Sequence, residues 1–123
     1  MSDAVQTIAD WTSGAEAISF QACAACGALQ YFRRSFCAAC GGAELAERCA
    51  SGEGTIYAAT LVCRAAAPQA REYLPYKIIL VDMAEGFRMM AHGDRDLDIG
   101  DRVTAGYRRF TDGLVPHFER KTT

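Results

Sequence analysis

The stretch CAACGALQYFRRSFCAAC, Cys23 to Cys40, decides how this chain is read. It carries four of the six cysteines, as two Cys-x-x-Cys pairs with ten residues between them. A tight turn brings the two thiols of one pair to a single corner. Gly27 and Gly41, just past each pair, allow the positive φ that such turns often need. Two facing corners make a tetrahedral sulfur cage for one ion. Zinc held by Cys23, Cys26, Cys37 and Cys40 is the expected occupant. One iron in the same cage and a pair of redox disulfides are the alternatives. With four thiolates there is no open position for water, so the site is structural. Its binding free energy folds a segment too small to build its own core.

Beyond the cage the composition is that of an ordinary globular chain, half apolar and 23% charged over 123 residues. The longest apolar run, Ile78–Val81, is far short of a membrane span. The N-terminus has acids where a secretory leader needs bases, so a cytoplasmic location is expected. There, regularly spaced cysteines serve metal or redox chemistry more often than disulfides. The net charge is −2, and neither half of the chain is basic, which disfavours double-stranded nucleic acid as a partner.

Residues 1–16 read as a short amphipathic helix, with Val5, Ile8 and Trp11 on one face, Ser2 or Asp3 as N-cap and Gly14 at its end. Residues 17–50 form the metal ribbon. Within it, ISFQAC and LQYFRR alternate as half-buried strands do. Residues 51–123 read as about five strands joined by short turns: GTIYAATLVCR, YKIILVDM, FRMMAHG, RVTAGYRRF and LVPHFER. A mainly β fold follows, with the last part a small closed barrel or a sandwich. Pro116 marks an edge strand or a bulge. The loop from Arg64 to Tyr76 is long for so small a domain, a length that often serves function.

Tyr31, Phe32 and Phe36 beside Arg33 and Arg34 make an aromatic and basic tip between the cysteine pairs. It serves either as a docking element or as padding beneath the metal turns. Trp11 is a candidate interface residue, because tryptophan is enriched at binding hot spots. Cys49 and Cys63 lack partners at ligand spacing and read as small buried apolar side chains. His92 and His117 cannot be placed beside them from sequence. No phosphate-binding loop, nucleophile elbow or zinc-protease motif is present.

Taken in order, QACAACGALQYFRR, FCAACGG, SGEGTIYAATLV, LPYKIILVDMAEGFRMMA and LDIGDRVTAGY resemble one family. Its members join a rubredoxin-like zinc ribbon to an OB-fold and were long called a domain of unknown function. Ala38 and Arg33 stand where that family often has proline. The resemblance implies a five-stranded OB barrel and a non-catalytic accessory subunit of a thiolase-like acyl-CoA enzyme, which helps to hold or channel acyl-CoA. Arg33, Arg34, Arg64, Arg71 and Lys77 are then the candidate coenzyme A contacts, and Trp11, Tyr31 and Phe32 the candidate partner interface. The competing reading is a single-stranded nucleic acid binder that stacks bases on Tyr31, Phe32, Tyr57, Tyr76 and Tyr107.

Overall fold

A computed structural model describes residues 9–65 and 67–121. Among the described residues eight strands form two sheets. The first sheet is three-stranded, in the order β2 (Leu29–Gln30), β1 (Ser19–Cys23), β3 (Leu45–Cys49). The second closes into the barrel that the resemblance implies. It runs β4 (Glu53–Val62), β5 (Tyr76–Met83), β6 (Arg88–Gly93), β8 (Gly113–Arg120), β7 (Arg102–Phe110). Closure depends on β7 meeting β4 at Glu53–Thr55, and on a two-residue parallel contact of β6 with β8 at His92 and Gly93.

The barrel strands form where β-branched, aromatic and Met side chains alternate with polar ones. Val81, Leu97, Val103 and Phe118 are wholly enclosed. Gly54 lies where β4 crosses β5. A Cβ there would stand 2.6 Å from Val81 Cγ1 and 2.7 Å from the Asp82 carbonyl oxygen, so only glycine fits without displacement. Pro116 is buried within β8, which pairs with β7 along its length but with β6 only at His117 and Phe118.

The ribbon is not a separate body. Ile18 and Phe20 belong to the same core as the barrel residues. Phe87, in the turn between β5 and β6, stacks on Phe20 at 4.7 Å and on Tyr31 at 5.9 Å. The ring stack therefore joins the two sheets.

Three local differences from the sequence reading have physical causes. Every residue of β1 is buried, not every second one. Its polar side chains are matched: Ser19 Oγ donates to Asp10 Oδ2 at 2.6 Å, and Gln21 Oε1 accepts from Gln30 Nε2 at 2.7 Å. LQYFRR is a strand only at Leu29–Gln30. Past it, the Gln21 side chain bonds both the N–H and the carbonyl of Arg34, which bends the backbone away from the sheet. Thirdly, β3 pairs with β1 along five residues, although its sequence LAERC carries little strand pattern.

Of the N-terminal helix, positions 1–8, with Val5, Ile8 and the suggested caps, lie outside the described residues. The described remainder is one 3-10 turn, Trp11–Ser13, capped by Asp10 and ended by Gly14 at φ 93°. The long loop carries a second 3-10 segment, Pro68–Tyr73.

Candidate metal centre and its surroundings

Two turns of the same construction present the cysteines. In the first, the Gly27 N–H reaches back to the Cys23 carbonyl at 2.9 Å. In the second, the Gly41 N–H reaches the Cys37 carbonyl at 2.8 Å. Gly27 and Gly41 adopt φ of 80° and 79°, the left-handed region that a side chain would resist. The turns face one another, and the four sulfurs lie within 4.8 Å of each other. Cys23 to Cys40 and Cys26 to Cys37 are each 3.6 Å, sulfur to sulfur.

That spacing discriminates between the readings of the cage. A tetrahedron with metal–sulfur bonds of about 2.3 Å has edges of about 3.8 Å. A disulfide needs about 2.05 Å. The observed edges fit the ion. The surroundings fit it too. N–H groups of Ala39 and Gly42 point at the sulfurs of Cys37 and Cys40, each at 3.4 Å, as anionic sulfur requires. A Cβ on Gly42 would stand 3.3 Å from Cys40 Sγ, so glycine lets the chain pass close to the cage. Leu45 and Ala28 back the buried pair, Cys23 and Cys37.

The protonation of the bare cage is lopsided. N–H groups of Cys40 and Ala39 draw the Cys37 thiol down to about 6. The N–H of Cys26 leads the lowering at Cys23. At Cys26 the Ala28 N–H pulls down, but hydrogen bonds with Cys40, Cys37 and Cys23, together with burial, outweigh it and push that thiol up to about 12. Four sulfurs this close cannot all be anionic without a cation among them. A bound ion takes the place of the shared protons. The cluster is a structural metal site whose four ligand positions are all taken by cysteine, with Cys23 and Cys37 buried and Cys26 and Cys40 at the surface.

Arg33, beside the tip, is tied inward. Its Nε donates to Glu47 Oε2 at 2.7 Å and its Nη2 to Ser19 Oγ at 2.9 Å, with Asp10 Oδ2 at 3.4 Å. Burial alone would raise the Asp10 carboxyl, but hydrogen bonds from Ser19 and Thr12, with Arg33 nearby, hold it below its ordinary range. Trp11 Nε1 donates to the Tyr31 hydroxyl at 2.9 Å. Trp11 and Tyr31 are thus braced against each other, while Phe32 and Phe36 stand 71% and 49% exposed. The padding alternative for these two rings is not what the structure shows.

Comparison with known proteins gives this architecture a family. The ChsH2 rubredoxin-like zinc ribbon domain matches residues 11–46. The ChsH2 C-terminal OB-fold domain matches residues 47–108, half of the chain. The chain belongs to the ChsH2 family. A solved structure named "Ltp2-ChsH2(DUF35) aldolase" is similar, with a TM-score of 0.70 and 25% identity over 83% of each chain. No curated protein matches the sequence.

Within this ChsH2-type frame the candidate cations fall in two places, the ribbon bend and the β4–β5 connection. Arg33 and Arg34 lie in the ribbon bend, Arg64 just past β4, Arg71 in the second 3-10 segment and Lys77 on β5. Lys77 Nζ is bonded to the Leu97 carbonyl at 2.6 Å. Two of the aromatic platforms named for base stacking are already engaged. Tyr31 lies on Phe87, and the Arg88 guanidinium covers Tyr57 at 3.5 Å from its ring centre. Cys49 and Cys63 are exposed, not buried: Cys49 is the last residue of β3 and Cys63 lies just past the end of β4. What the sequence reading missed is a cavity at the barrel rim. Its cations are Arg95, Arg108 and Arg109, none of the five named from sequence. No described helix is long and apolar enough to cross a membrane.

Proposed function

We propose that this chain is a non-catalytic, cytoplasmic accessory subunit. It docks on an acyl-CoA enzyme of the thiolase or aldolase class and helps to hold or pass its acyl-CoA. The observation that carries this reading is the likeness to a structure whose name joins Ltp2 and ChsH2 in an aldolase. The surface agrees. Phe32 and Phe36 are large apolar rings left in solvent on a bend held between two metal turns. Exposed aromatic groups of this kind mark interaction sites. Arg34 stands beside them in solvent. Of the five named cations, Arg34, Arg64 and Arg71 are exposed and remain the candidate acyl-CoA contacts, whereas Arg33 and Lys77 are engaged by Glu47 and by the Leu97 carbonyl.

Zinc is the ion assigned to the cage. It favours the closed four-sulfur tetrahedron, has no redox chemistry and supplies rigidity alone. Chain residues do the rest: Gly27, Gly41 and Gly42 shape the turns, and Leu45 excludes water from the inner pair.

Affinity capture of the tagged chain from its native lysate, with mass spectrometry of what is retained, tests the proposal. A thiolase- or aldolase-class enzyme is expected, and the Phe32→Ser/Phe36→Ser variant is expected to retain at least tenfold less of it. Circular dichroism and zinc content of that variant should match the parent. A monomer that retains no such enzyme, or acyl-CoA turnover by the isolated chain, would overturn the reading.

A further inference from the structure

At the rim of the barrel, four rings from three separate parts of the chain come together. Tyr76 and His92 are stacked, with ring centres 5.1 Å apart and planes 7° from parallel. Phe110 meets both edge-on, at 5.0 Å from Tyr76 and 4.5 Å from His92. Tyr73, from the second 3-10 segment, leans on Phe110 at 4.6 Å. All four are only half-buried, and all four line one cavity of about 460 Å³. A cluster that served only as core would be closed over.

The charges at the mouth have a sign. Asp94 is matched: His117 Nε2 is 2.8 Å from its Oδ1, and Arg108 Nη2 is 3.8 Å from the same oxygen. Among the described residues neither Arg95 nor Arg109 has an ion pair, and both line the cavity. The remaining unmatched acid is Glu72. Burial, then the neighbouring His117, pulls His92 below its ordinary value, so near neutrality it is a flat uncharged ring.

We propose that this cavity binds a single nucleotide, its base against the Tyr76–His92–Phe110 cluster and its phosphates on Arg95 and Arg109. Aromatic faces accept any base by stacking. Guanidinium groups fit phosphate oxygens by their planar donor fork. The volume lies within the range of small-molecule sites. One ring cluster, with the Arg88 guanidinium over the Tyr57 ring and Tyr31 stacked on Phe87, favours one base over a strand of several. The proposal needs this chain alone and stands or falls independently of the partner enzyme.

Calorimetric titration of the full, metal-loaded chain tests it. The probes are ADP, adenosine, pyrophosphate, coenzyme A and a short oligo-deoxyadenylate. ADP is expected to bind at least tenfold more tightly than adenosine or pyrophosphate. Arg109→Ala with Arg95→Ala should remove most of that advantage. Both residues are exposed, so the fold should survive. Amide shifts in the parent protein on adding ADP should centre on Tyr76, His92 and Phe110, which requires no variant. Tighter binding of coenzyme A than of ADP identifies the nucleotide as that of a coenzyme thioester, and equal binding identifies a free nucleotide. Either supports the site. No binding of ADP at millimolar concentration, shifts centred elsewhere, unchanged affinity in the double-arginine variant, or oligonucleotide binding far tighter than ADP would overturn it.

Discussion

Phe87→Ala is the substitution that reports most directly on how the ribbon and the barrel depend on each other. Phe87 is 6% exposed, and its ring lies between Phe20 and Tyr31, both in the ribbon. Truncating an enclosed phenylalanine costs about 3–5 kcal/mol. A chain of 123 residues has a total stability of roughly 6–18 kcal/mol. The loss is therefore a large part of the whole. With a urea slope of about 2 kcal/mol per molar, a loss of about 4 kcal/mol lowers the midpoint by about 2 M. Two signals should be followed through the same titration: far-UV circular dichroism for the sheets, and capture of released metal by a coloured chelator for the cage. Because Phe87 belongs to the barrel yet stacks on the ribbon, both curves should move together. A metal-release curve that stays where the parent's lies, while the dichroism curve shifts, would show that the ring stack does not couple the two sheets.

Two further outcomes follow from single positions. Gly54→Ala places a methyl against the Asp82 backbone and Val81, so it should cost about 1–3 kcal/mol and lower Tm by roughly 5–10 °C in a thermal melt. His92 titrates below its unfolded value of 6.5, so the unfolded chain takes up the proton first. Its contribution to stability is full above pH 6.5 and is lost as pH falls through the lower folded value. His92→Gln should flatten that part of the stability profile, as read by urea midpoints at stepped pH.

The metal cage was legible because its signal is local. Two residues fix the separation within each cysteine pair, and a glycine fixes the turn. The barrel strands were legible from their alternation, although closing the sheet needed β7 to find β4, some fifty residues distant along the chain. The third ribbon strand was not legible. LAERC is held extended by β1 beside it, and its own residues supply little strand preference. The bend at Tyr31–Phe36 was hidden for the same kind of reason, since the side chain of Gln21 sets it. Arginines posed the hardest problem. Arg33 reads as a free cation but is tied to Glu47 and Ser19. Arg95 and Arg109 read as ordinary surface charge, but they flank a ring cluster assembled from Tyr73, Tyr76, His92 and Phe110. Such sites exist only once distant segments have met.

Four thiolates hold one ion, and that ion keeps the ribbon folded. Elemental analysis combined with thiol counting on freshly purified chain tests it most directly. The prediction is one zinc per chain, with only Cys49 and Cys63 open to a thiol reagent and all six cysteines reacting after chelation, when the ribbon unfolds. A chain with neither zinc nor iron, folded as before in the presence of chelator, would contradict it.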